Sequence, residues 1–186
     1  ICKYIDSFGL NISETERKKL VTLVAGYPLA VNMICASAKD DLFSIGELLS
    51  DGALQKLEDE HNQRLSERIV RKIYDKYAAE LNLLSYIDCQ VISSDFLRVI
   101  VDRIRLKYLC RYSVLQQEDA YTFRIHQVVL DAIKCIAHIP DLKELADKLS
   151  CYLDNKNHQK DIPFFTLFHH NVSFIDKVYH NADTTE

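Results

Sequence analysis

The chain has 186 residues, 48% apolar and 27% charged, with a formal net charge of −4. That is enough apolar material for a real core, and the negative balance excludes a global attraction to nucleic acid or anionic membrane, leaving only local patches. Four glycines and three prolines are too few for the many turns of an all-β fold, so long helices with short connections are expected.

The first clear helix signal is Ser13-Glu14-Thr15-Glu16, a capping box in which Ser13 and Glu16 satisfy each other's orphan amides. The helix should run through Val24 and stop at Gly26. Pro28 can open the next helix, because proline is tolerated in a first turn. Leu29, Val31, Met33 and Ile34, with Ala30 and Ala36, make that helix apolar on most sides, as a buried helix is. A short helix is expected at 44–50, ended by Asp51-Gly52. Residues 53–65 are polar and read as a connector or a helical extension.

From Ser66, the spacing of Ile69, Ile73, Tyr77, Leu81 and Leu84 predicts a long amphipathic helix. Ser93 or Ser94 caps the next, and a shorter helix follows at 105–110. The period then changes. Residues 111–116 and 121–125 read as two short strands around the polar turn Glu118-Asp119-Ala120. From His126 the helical period returns with Val128, Val129, Ala132, Ile133 and Ile136. Pro140 ends it, Asp141 caps a helix through Leu153, and the aromatic-rich stretch from Phe164 to Val178 is helical again.

The expected fold is therefore mostly α. A small helical domain (1–52) and a connector (53–65) precede a winged-helix domain (66–138) with a short two-stranded wing, and 139–186 begin a helical C-terminal region. The chain starts at Ile1 and its one methionine is Met33, so it reads as an internal piece of a longer protein. Six dispersed cysteines without a C-x-x-C read as thiols of a reducing compartment, and cytoplasmic residence is expected. The apolar runs are too short to span a membrane. Cys135 with His138, and the His169-His170 pair, do not assemble a zinc ligand set, and no nucleophile motif such as G-x-S-x-G occurs.

Gly26-Tyr27-Pro28-Leu29-Ala30 resembles the G-x-P-L-A segment of STAND-type signalling ATPases, the NB-ARC and NACHT group. About 100 residues on, Tyr121-Thr122-Phe123-Arg124-Ile125-His126-Gln127 is similar to the strand that leads, in that family, into a methionine-histidine-aspartate motif. The resemblance covers roughly residues 1–140. It implies that Pro28 lies beside the adenine of a bound nucleotide. It implies too that His126 reaches the β-phosphate of ADP and holds an inactive state closed. Ile125 and Gln127 replace the flanking methionine and aspartate. No G-x-x-x-x-G-K-[ST] exists in the 186 residues, and without that phosphate cradle the chain is not expected to be an enzyme by itself.

The function so implied is a regulatory, nucleotide-gated switch module controlling opening and oligomerisation in cell-death or innate-immune signalling. ADP/ATP would be the cofactor of the intact protein, and no nucleotide is expected to bind these residues tightly alone. The implied partners are an upstream P-loop domain, a downstream sensor or repeat region, and further copies on activation, with no membrane. Each segment also has a plainer reading: Gly26-Tyr27-Pro28 as a junction between helices, and His126 as a helix cap. Arg103, Arg105, Lys107 and Arg111 cluster around the third winged-helix helix, where DNA-reading proteins place their recognition helix. DNA binding, or a helical adaptor role, is therefore the alternative.

Overall fold

The computed structural model describes residues 1–50, 61–154 and 162–182, with the backbone alone at 61–64, 163 and 182. The chain is mostly helical, with ten helices and three short strands among the described residues. Helix α1 (Cys2–Ser7) leads into α2 (Glu14–Val24), which opens on the expected capping box: Ser13 Oγ accepts the Glu16 amide and the Glu16 carboxylate accepts the Ser13 amide. Pro28 begins α3 (Pro28–Lys39), whose Ala30, Val31, Met33, Ile34 and Cys35 are buried. Helix α4 (Ile45–Ser50) repeats the capping device with Ser44 and Glu47.

Helix α5 (His61–Ile87) starts before the expected Ser66, so residues 61–65 of the connector are helical; its remainder, 53–60, lies outside the described residues. It is kinked at Tyr77 (φ −124°, ψ 30°). Then come β1 (Val91–Ser93), α6 (Ser94–Ile100) capped by Ser93, and α7 (Arg103–Arg111) capped by Asp102. Strands β2 (Gln116–Gln117) and β3 (Thr122–Arg124) form the wing, and α8 (Gln127–Lys134) packs back on α5. Helix–strand–helix–helix–hairpin is the order of a winged helix.

The expected two-stranded wing is present, with one strand added to its sheet and the bounds of its first strand corrected. The sheet has three strands, in the antiparallel order β1-β3-β2, because Val91 pairs with Arg124 and Ser93 with Thr122. The first wing strand is also shorter than 111–116. Arg111 closes α7, and Ser113 takes a left-handed turn (φ 56°) while the amides of Val114 and Leu115 return to the Leu109 carbonyl. Tyr112 and Val114, which looked like strand residues, are buried at that turn.

The two C-terminal helices cover the sheet side of the winged helix. Asp141 Oδ1 caps α9 (Leu142–Asp154) by accepting the Glu144 amide, and α9 packs on α6. Helix α10 (Ile162–Ala182) breaks at Asn171 (φ −127°, ψ 20°) and lies across β1. The Asn171 side chain, with no exposed surface, pairs with the free edge of β1. Its Oδ1 accepts the Ser93 amide at 3.1 Å and its Nδ2 donates to the Val91 carbonyl at 2.9 Å. One side chain thus does the hydrogen bonding of a neighbouring strand. No described helix is long and apolar enough to cross a membrane.

Candidate functional site

Helix α2 ends with Ala25 in the left-handed region (φ 44°) and Gly26 at φ 82°, so the chain reverses within two residues. No neighbour crowds Gly26, which leaves backbone conformation as the reason for a glycine there. The Tyr27 amide returns to the Val24 carbonyl at 2.7 Å, and Tyr27 is the N-cap residue of α3. This turn leaves Pro28 exposed at the first helical position. The Tyr27 ring is half-buried, and its hydroxyl, shielded from solvent, has no hydrogen-bond partner among the described residues; burial raises its pKa.

His126 stands 98 positions after Pro28 in the sequence numbering, where β3 turns into α8. It is exposed, and its Nδ1 accepts the Val128 amide at 3.4 Å as the cap of that helix. In the neutral ring an accepting Nδ1 leaves Nε2 as the nitrogen able to donate. The structure brings the two sequence segments together: the Tyr27 and His126 rings meet edge-on, with centroids 6.3 Å apart. The exposed Pro28 thus directly follows a residue whose ring touches an exposed imidazole at a helix N-terminus. Apolar contact with a base and hydrogen bonding to an anion are what such a pair can offer.

The basic cluster is split. Arg103 and Lys107 lie exposed on the outer face of α7, with no ion-pair partner among the described residues. Arg105 points the other way, to Glu80 at 3.0 Å and over the Tyr77 ring at 5.7 Å. Arg111 is bound to Asp40 at 2.7 Å. The wing beside α7 carries Glu118, paired with Arg124, and Asp119. Hydrogen bonds from the Tyr121 backbone, then from Thr122, hold the Asp119 carboxyl below its ordinary pKa.

Cys135 Sγ lies 3.7 Å from a Glu67 carboxylate oxygen, and no group of three or more potential metal ligands occurs among the described residues. The sequence pattern passed over Tyr27 as a contact residue, although it precedes Pro28 and its ring meets His126. It also passed over Asn32, Asp40 and Tyr112, which meet partners 71 positions or more away. Comparison with models of known families, with curated proteins and with solved structures finds no match to this chain.

Proposed function

We propose that the chain is a regulatory module of a STAND-type ATPase, gating a closed-to-open change by the nucleotide held in a phosphate-binding core outside these residues. The observation that carries the reading is the contact of Tyr27 with His126. It supports a closed state in which the segment resembling G-x-P-L-A lies near the histidine at the start of α8. Pro28 would pack on the base and His126 Nε2 would donate to a phosphate oxygen, aided by the N-terminal dipole of α8. Two units that each hold one end of a ligand close together when it is bound and part when it leaves.

In this reading the module has no catalytic residues of its own and works in the cytoplasm, with cell-death or innate-immune signalling as the output of opening and oligomerisation. Nucleic acid is less well supported, since Arg105 and Arg111 are committed to carboxylates and the wing is acidic.

The test is ADP retention by the intact protein carrying its P-loop domain. His126→Ala should speed release of a fluorescent ADP analogue by roughly tenfold or more, the size of one charge-assisted hydrogen bond. Release at the wild-type rate would remove His126, and with it this reading.

A further inference from the structure

Helix α3 lies along the winged helix, with the residue before it against His126 and the residue after it at the end of α7. At that far end the joint is polar. Asp40 receives two partners on separate oxygens: Arg111 Nη2 at 2.7 Å on Oδ1 and the Tyr112 hydroxyl at 3.0 Å on Oδ2. About two turns back along α3, Asn32 Nδ2 donates to the Arg111 carbonyl at 3.4 Å and to Ser113 Oγ. A helix leaves its last carbonyls without intrahelical donors, and here α3 supplies one for α7. The Tyr4 hydroxyl in turn donates to Asn32 Oδ1 at 3.0 Å, which ties α1 into the same set.

Water reaches this joint. The Arg111 side chain stays 42% exposed, and an opening of about 320 Å³ lined by Tyr4, Phe8, Asn32, Lys39 and Arg111 lies beside it. Hydrogen bonds to charged groups hold such a joint firmly. When it parts, water can take over each donor and acceptor, so opening strands no charge in an apolar interior. Tyr112 combines both kinds of contact: its ring is fully buried against Tyr77 and Tyr108, and its hydroxyl reaches across to Asp40.

We propose that Asp40, Arg111, Tyr112 and Asn32 form a latch that holds the first helical unit (1–50) on the winged helix, and that its strength sets the balance between closed and open forms. Its regulatory meaning rests on the switch reading above, but its test requires no nucleotide. In the 186-residue chain, amide exchange and small-angle scattering are compared for wild type, Asp40→Ala and Tyr112→Phe. Asp40→Ala should speed exchange at α3 and at residues 109–115 by roughly tenfold or more, and raise the radius of gyration. The amides of β3 and α8 should exchange as in wild type. Tyr112→Phe keeps the ring and loses only the hydroxyl, so its acceleration should be smaller and confined to the same residues.

Unchanged exchange at α3 in both variants would overturn the latch. So would acceleration spread equally over β3 and α8, because that marks loss of general stability. If exchange responds as expected while His126→Ala leaves ADP release unchanged, the latch stands and the nucleotide role falls; the reverse pattern removes the latch alone.

Discussion

Cys35 has no exposed surface in the middle of α3, and burial pushes its thiol from the ordinary 9.0 up to about 11. Between those values an unfolded chain has released the proton while the native chain still holds it. The native state then binds more protons, so stability falls as pH rises. The loss should reach roughly 2–3 kcal/mol once both limits are passed, at about 1.4 kcal/mol for each pKa unit. Urea unfolding at about pH 8 and about pH 10.5 measures it, and Cys35→Ala should remove most of the difference attributable to this thiol. An equally steep loss in Cys35→Ala would show that other groups carry it. Burial raises Tyr112 too, with its bonds to Tyr77 and Asp40 adding to the effect, so tyrosine contributes in the same direction at still higher pH. The apolar neighbours Ile34 and Ala36 made the buried thiol legible. Nothing local made Tyr112 legible, because its burial and its partner Asp40 belong to different parts of the chain.

At the scale of elements, the capping signals were the most readable. Ser13 with Glu16, Ser93 and Asp141 accept the amides that their positions call for, while the Asp102 cap of α7 was not anticipated. A cap acts within one turn, so three or four residues contain the whole cause. Strand β1 was not readable for the opposite reason. Val91–Ser93 is too short to show a period, and its partner β3 lies about 30 positions away. The strand expected at 111–116 arose from residues that suit β structure locally, although α7 and the turn at Ser113 claim most of them.

Asn171 closes the outer edge of the sheet and carries the prediction for this scale. Asn171→Ala leaves the Ser93 amide and the Val91 carbonyl without their buried partner, at a cost of about 1–3 kcal/mol for each group not reached by water. The urea midpoint should fall accordingly. Asn171→Asp, which can still accept from Ser93 but cannot donate to Val91, should not recover the wild-type midpoint. A wild-type midpoint in Asn171→Ala would mean that α10 itself holds the edge in place.

For the whole molecule, the order of helices and hairpin was legible because the winged-helix helices carry their own period and the hairpin interrupts it at a polar turn. The way α3 lies on that unit was not, since Asn32, Asp40 and Tyr27 meet partners far along the chain. The arrangement of charge is also a property of this scale. Four basic residues that look alike in sequence become two exposed cations and two committed to carboxylates. With the net charge negative and the wing acidic, duplex DNA at low salt should show no mobility shift with this chain. A salt-sensitive shift that disappears in Arg103→Ala/Lys107→Ala would establish DNA binding instead.

The single side chain at the edge of β1 has a further consequence. A winged helix cut off before α10 would present β1 with open backbone groups along one side, in a sheet only three strands wide. Such an edge is a template for other chains, and molecules so shortened would tend to add to one another strand by strand. Asn171 therefore does more than stabilise its own molecule: by occupying those groups, it keeps neighbouring copies from using them.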